Sequence, residues 1–462
     1  MIYRFMLTQH IGHPAVPCVK AGQTVLRGQR LAVKPNGKLG AHIHSSVKGE
    51  VCAVEDLFVE VEADEKRCET GFFGADFDRA GIGVLTSSFR WEGSGESDYV
   101  PIKGNSVLEL IEEAGIVGAG GAGFPTAAKL SRPLGPGGLL ILNAAECEPA
   151  LRHNTALLEL EPERALCGMR HAMAAVKAAE GVIAIKEKRA RAVAALRGAL
   201  ASSSDISIRF LPDIYPSGEE RAVVREVRGM LLGPDQLPWE AGCVVLNTET
   251  AARIADAVEK RKPVISKDMT LAGQYRAKVF SDRGSAALFD APLGIAVGSI
   301  IERAGGLSAD CGELIAGGPF TGKPAREDSP VTKLTGGLLA AMPFLCAREK
   351  LGLLACACGA GQERLMDIAA KMGGETAGLE HCKQSLPARG ARKCENPGKC
   401  PGQAEKVLSL YRQGARALLI GSCGDCTNTV MTVADRLSMS VYHSTDGVLR
   451  TAGEGLIRWR KS

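Results

Sequence analysis

Cysteine is the residue type with the most chemistry to offer in this sequence. Fifteen occur in 462 residues, and eight of them (346, 356, 358, 382, 394, 400, 423 and 426) fall in the last quarter. An odd count does not suit a framework of internal disulfides, so redox thiols or metal ligands are expected of the tail. The closest spacings are Cys423-Gly-Asp-Cys426, Cys356-Ala-Cys358 and Cys394-x5-Cys400-Pro. Cys423 and Cys426 lie between a strand pattern (ALLIGS) and a helix pattern (TVMTVADRL). The partial positive charge of a helix start lowers a thiol pKa, and C-x-x-C spacing permits a reversible disulfide. With Asp425, Thr427 and Asn428 around it, this pair is expected to be accessible and reactive, the catalytic exit for electrons. The rival reading makes it part of a metal site, with Cys356, Cys358, Cys394 and Cys400 as ligands of an iron–sulfur cluster or zinc. Both readings stay open here. Cys18, Cys52, Cys68, Cys167, Cys243 and Cys311 are scattered singly and are expected to be packing residues.

A second set of residues suits a phosphate and a polar ligand. Gly118-Ala-Gly-Gly-Ala-Gly123 lets backbone N–H groups close round an anion, and Lys129 follows with a positive charge. Asn143, Glu146 and Glu148 (NAAECEP) come directly after an apolar strand, where open α/β sheets bind ligands. Tyr215-Pro-Ser-Gly218-Glu219-Glu220 adds a turn with two adjacent carboxylates. A glycine cluster alone is more often a tight turn; three polar signatures at strand ends make a site.

The elements that must carry these residues alternate. Strand patterns (LLILNAAE, GVIAIK, VVLN) exchange with helix patterns (ERALCGMRHAMAAVKAAE, RARAVAALRGAL, TAARIADAVE), which predicts an α/β core. Before it, short apolar pairs cut by glycine and proline predict small-strand β architecture over about residues 8–54, with residues 55–100 as connection. After it, PLGIAVGSIIERAGG and IAGGPFTG predict a small β-plus-helix unit. In the tail, LLACACGAGQERLMDIAAKMG and ALLIGSCGDCTNTVMTVADRLS read alike, each a strand ending in cysteines and glycine before a helix.

In order, GIVGAGGAGFPTAAKL, LNAAECEP, YPSGEERA and VVLNTETAARI resemble the flavin-binding core of the NADH dehydrogenase flavoprotein subunit, and more closely the C subunit of Rnf-type electron transport complexes. The resemblance covers residues 1 to about 340. It implies a multidomain α/β protein with four parts. Residues 1–100 would be a barrel-sandwich hybrid with its connection, 101–265 an FMN- and NADH-binding α/β core, 266–340 a β-grasp (SLBB) domain, and 341–462 a cysteine-rich α/β redox domain. Gly118, Gly120, Gly121 and Lys129 would cradle the FMN phosphate, with Asn247 and Thr250 completing that end. Asn143 and Glu146 would face the ribityl chain and ring; Tyr215, Gly218, Glu219 and Glu220 would close the other side. Glu148 and Glu220 would neighbour the nicotinamide. Ala119 stands where the respiratory subunit has an arginine, which weakens any transfer of its nucleotide contacts. The tail lacks the ferredoxin runs C-x-x-C-x-x-C-x-x-x-C-P of Rnf subunits and resembles the electron-transfer protein associated with proline reductase, implying a partner reductase.

Composition narrows the classes. A net charge of +4 and 5% aromatics give nucleic acid little to bind. No apolar run reaches the roughly 18–20 residues of a membrane span, and the start lacks the apolar stretch of a signal peptide, so a cytoplasmic protein without membrane insertion is expected. His10, His13, His42 and His44 are read as structural. The expected function is electron transfer from NAD(P)H through FMN to a cysteine centre and a partner. The alternative is a scaffold that keeps the flavin fold without flavin and docks a partner or small ligand through its β-grasp domain.

Overall fold

The computed structural model describes residues 1–63, 88–90, 98–276, 284–388 and 391–458. Cys68, and most of the stretch expected to be connection, lie outside the described residues.

The N-terminal unit is two small antiparallel sheets. One runs in the order Ile2–Met6, Phe58–Ala63, Gly49–Val54, Thr24–Val25, the other Val16–Pro17, Arg30–Val33, Ile43–His44. Alternation makes the sandwich: in Phe58–Ala63 the residues Val59, Val61 and Ala63 turn inward to meet Tyr3, Phe5, Leu31 and Ile43. The assignment of residue 55 onward to connection is therefore corrected, since 58–63 form a central strand of this sheet.

The core sheet is parallel, in the order Ile206–Leu211, Glu180–Lys186, Leu139–Ala144, Cys243–Asn247. Its strands are almost continuously buried because helices cover both faces. The helix Pro162–Val176 starts on proline and ends at Lys177 in the left-handed region. It crosses Thr248–Glu259 so closely that a Cβ at Gly168 would sit 1.7 Å from the Ala251 carbonyl oxygen.

The next sheet is mixed, in the order Lys323–Pro324, Glu313–Ala316, Gly337–Ala341, Ser266–Gly273, Ser285–Pro292, Ser88–Arg90, with the helix Val297–Arg303 beside it. A buried ion network joins it to the core. Arg253 of the core helix reaches Asp268 at 2.9 Å and Asp290 at 3.2 Å on two strands of the mixed sheet. Lys267 pairs with Glu249, and Arg164 with Asp256 at 2.6 Å. Lys333 ties a third unit in, donating from Nζ to the carbonyls of His42 and Gly115 at 2.7 Å each.

The tail is a second parallel sheet, in the order Thr376–His381, Leu351–Ala355, Ala417–Ile420, Ser440–His443. The two stretches that read alike are neighbours in it, each continuing into a helix, Gln362–Lys371 and Gly424–Arg436. A hairpin, Ser385–Ala388 with Ala391–Cys394, projects from the first strand's end. None of the described helices is long and apolar enough to cross a membrane.

Candidate functional site

A cavity of about 490 Å³ lies where the core, the mixed sheet and the tail meet. All thirteen residues expected to bind a cofactor line it: Gly118, Gly120, Gly121, Lys129, Asn143, Glu146, Glu148, Tyr215, Gly218, Glu219, Glu220, Asn247 and Thr250.

The glycine loop sits over the start of the helix Thr248–Glu259. Asn247 caps that helix, its Oδ1 accepting from Thr250 N–H at 3.2 Å, and Thr250 Oγ1 accepts from Ala119 N–H at 3.0 Å. Gly121 has φ +100° and nothing within 4 Å of a would-be Cβ, so it is backbone conformation and open space that call for glycine there. At Gly120 a Cβ would meet Asn247 Nδ2 at 3.4 Å. A cradle of side-chain-free backbone at a helix start suits the phosphate of FMN.

The carboxylates divide by what already holds them. Glu146, in the left-handed region at φ 36°, accepts from the N–H groups of Asn154 and Thr155 at 2.8 and 2.9 Å and so caps the helix His153–Leu160. Burial raises its pKa, but His153, Arg189 and these donors bring it below the usual range. Glu148 accepts from Phe320 N–H at 2.9 Å and from Thr321 N–H and Oγ1–H at 3.0 and 2.6 Å, tethering the loop of the mixed sheet to the core. Burial pushes it up. Glu219 caps the helix Glu220–Arg228, so a helix starts where the sequence suggests only a turn. Glu220 is the most open of the four and pairs with Lys129 at 2.5 Å. Asn143 is held by its Nδ2 on the Gly218 carbonyl at 2.8 Å.

The tail closes the cavity. Ala357, Cys358, Lys393 and Cys394 line it. Tyr215 stacks on Phe320 with centroids 3.6 Å apart and planes at 1°, and its hydroxyl donates to the Cys358 carbonyl. Four further lining residues, Cys147, Gly317, Gly318 and Thr321, are not evident from the sequence. Cys147 lies within the NAAECEP motif, where the carboxylates on either side of it are the stronger signal; burial pushes its thiol up to about 11. The signal for the loop is the Gly317-Gly318 pair: a Cβ at Gly318 would lie 2.3 Å from the Glu148 carboxyl carbon.

The expectation for Cys423 and Cys426 is corrected. Cys423 does cap the helix Gly424–Arg436, but the pair is 6% and 1% exposed, not accessible. Burial pushes Cys423 well above its ordinary pKa; contacts with Cys382 and Cys400 do the same to Cys426. Desolvation outweighs the helix start. The thiol brought down is Cys400, to about 6, by contact with Cys426 and donors from Gln403 and Gly402. Of the cysteines expected to be packing residues, Cys243 is buried, Cys18 and Cys52 are exposed, and Cys167 and Cys311 are half-buried. His10, His42 and His44 are buried.

A glycine cradle at a helix start, set at the ends of parallel strands, defines a flavin-binding oxidoreductase component. Comparison with known proteins agrees: residues 111–256 match the Nuo51 FMN-binding domain and residues 2–69 the RnfC barrel sandwich hybrid domain. The C subunit of a Na(+)-translocating ferredoxin:NAD(+) oxidoreductase complex from Acetobacterium woodii is 32% identical over 335 residues, 72% of this chain and 71% of that one. The chain belongs to the RnfC family. Cobalamin reductase PduS of Salmonella typhimurium is 38% identical over 239 residues, 52% of this chain and 50% of the relative. The RnfC-type component of an ion-translocating oxidoreductase complex of Pseudomonas aeruginosa is 33% identical over 341 residues, 73% of this chain and 42% of the relative. The chain thus spans half or less of the length of these last two.

Proposed function

We propose that the chain accepts hydride from NADH or NADPH onto an FMN held in the cavity and passes the two electrons singly, through the cysteines of the tail, to a partner reductase, the proton going to solvent. FMN, when bound, supplies the change from two-electron to one-electron chemistry. The observation that carries this reading is that one cavity is lined both by the glycine cradle and by Cys358 and Cys394. Gly118, Gly120, Gly121, Asn247 and Thr250 form the phosphate end. Glu220 and Lys129 stand at the open side, where the nicotinamide would approach, and Glu148 acts there by holding the loop Gly317–Thr321. Residues 266–340, a mixed sheet with one helix, serve as the β-grasp domain. The absence of ferredoxin runs from the tail favours a reductase of the proline reductase type over a membrane complex as the acceptor.

The test is anaerobic titration of FMN-loaded protein with NADH and with NADPH, following flavin absorbance. Bleaching by one of them is expected. A chain that keeps no FMN through gel filtration, or whose flavin neither donor reduces, would rule the reading out.

A further inference from the structure

Three adjacent parallel strands of the tail all run into cysteine. Thr376–His381 leads to Cys382, Leu351–Ala355 to Cys356 and Cys358, and Ala417–Ile420 to Cys423 and Cys426. The C-terminal edge of a parallel sheet is where open α/β folds gather ligand-binding groups. Cys394, ending the hairpin, and Cys400, in the next loop, fold back over the same edge. Six sulfurs then interact in an unbranched file: Cys394 with Cys358, Cys358 with Cys356, Cys356 with Cys382, Cys382 with Cys426, and Cys426 with Cys400.

Hydrogen-bond donors are aimed at these sulfurs. The N–H of Cys358 points at Cys356 Sγ at 3.4 Å, and that of Gly402 at Cys400 Sγ at 3.4 Å. Cys382 and Cys394 receive the N–H groups of Gln384 and Asn396. Four cysteines thus share one turn, in which the residue two positions on donates back to the sulfur. After Cys400 that turn has Gly402 at φ +107°, which favours glycine. Gln403, fully buried, spends its Nε2 on Cys382 Sγ at 3.3 Å and Cys400 Sγ at 3.4 Å. A neutral thiol is a weak acceptor, so a buried amide gains little from two of them. Sulfur carrying negative charge is a far better partner, and such donors are what tune metal–thiolate centres.

The spacing selects the kind of centre. Four thiolates on one zinc, at bonds of about 2.3 Å in a tetrahedron, bring sulfurs to within about 3.8 Å of each other. Among the described residues no three tail sulfurs lie within 4.8 Å of one another. A file of this shape fits a centre in which several irons and bridging sulfides separate the protein ligands.

We propose that this sheet edge binds one iron–sulfur cluster, with Cys356, Cys382, Cys426 and Cys400, the consecutive run that does not line the flavin cavity, as its ligands. Cys358 and Cys394 continue the file to the cavity wall. The cluster's use as an electron acceptor rests on the proposed flavin chemistry; its presence does not.

Full-length protein, reconstituted anaerobically with ferrous iron and sulfide and freed of excess, is analysed for iron, acid-labile sulfide and zinc. Its paramagnetic resonance spectrum is recorded after dithionite reduction, without NADH. Stoichiometric iron and sulfide are expected, falling at least tenfold in Cys382→Ser and Cys426→Ser and unchanged in Cys311→Ser. Gln403→Leu, which leaves every sulfur in place, should keep the cluster at a more negative potential; this holds the test open should the serine variants fail to fold. Zinc without sulfide, no iron in the wild type, or full iron in a folded Cys382→Ser would overturn the proposal. A protein that loads the cluster but is not reduced by NADH or NADPH would sink the flavin reading and leave this one standing.

Discussion

The substitution that separates cradle from fold is Gly121→Val. At φ +100° a β-branched residue costs about 1–2 kcal/mol of strain, yet nothing stands within 4 Å to clash with it. The variant is expected to fold, with an unchanged far-ultraviolet circular dichroism spectrum, and to lose FMN; full flavin occupancy would remove the loop from the phosphate site. Glu220→Gln is expected to keep FMN but slow its reduction by NADH, since it discharges the open carboxylate paired with Lys129. Stopped flow checks this, and an unchanged rate would move the donor site. Single residues are legible in the sequence where a motif announces them, as with Gly121 and Asn143. They are misjudged where burial decides the chemistry. Cys423 and Cys426 have polar neighbours in sequence, but Phe320, Leu354 and Val430 join them in one buried cluster. Cys382 gives no signal of its own because a lone cysteine has no spacing to read; only strand pairing brings it beside Cys356.

Among elements, the helix Thr248–Glu259 does most to shape the site, because its cap and its first turn also hold the glycine loop. Asn247→Ala removes the cap and is expected to cost about 0.5–2 kcal/mol in denaturant unfolding. Asn247→Asp keeps a capping oxygen but sets a carboxylate against the phosphate cradle at Gly120, so stability should persist while FMN affinity falls. If both variants bind FMN as the wild type does, the loop is not the phosphate end. The core strands are readable from their unbroken apolar runs, and the tail's two similar stretches from their strand-then-helix pattern. The strand Ile206–Leu211 is not, because alternation with exposed Arg209 and Phe210 on a sheet edge blurs the buried-strand signature. The helix Glu220–Arg228 is hidden behind YPSG, whose proline and glycine suggest a turn running on through the carboxylates.

For the whole molecule, the order of the units is legible in the chain but their fastening is not, since the fastenings are buried charges on distant residues. Lys333, fully buried, joins the mixed sheet to the first two units, and burial lowers its pKa to about 7. His10, His42 and His44 nearby are also lowered, so they do not titrate above pH 7. Between pH 7 and the unfolded lysine's 10.5 the unfolded chain binds more protons at this site, so its contribution to stability rises with pH across that window. Denaturant unfolding at pH 7 and 9 should therefore show a shallower rise in Lys333→Met than in the wild type; identical slopes would mean the lysine keeps its proton. The ion network of Arg253, Lys267, Arg164 and their four carboxylates carries a different consequence. Pulling one member out leaves buried charge uncompensated, at about 3–5 kcal/mol, so the core and the mixed sheet have no cheap partial opening. In native-state hydrogen exchange, amides of Thr248–Glu259 and Ser266–Gly273 should exchange only with global unfolding. The tail, outside that network, is free to open as a cooperative unit of its own and to exchange at a lower free energy.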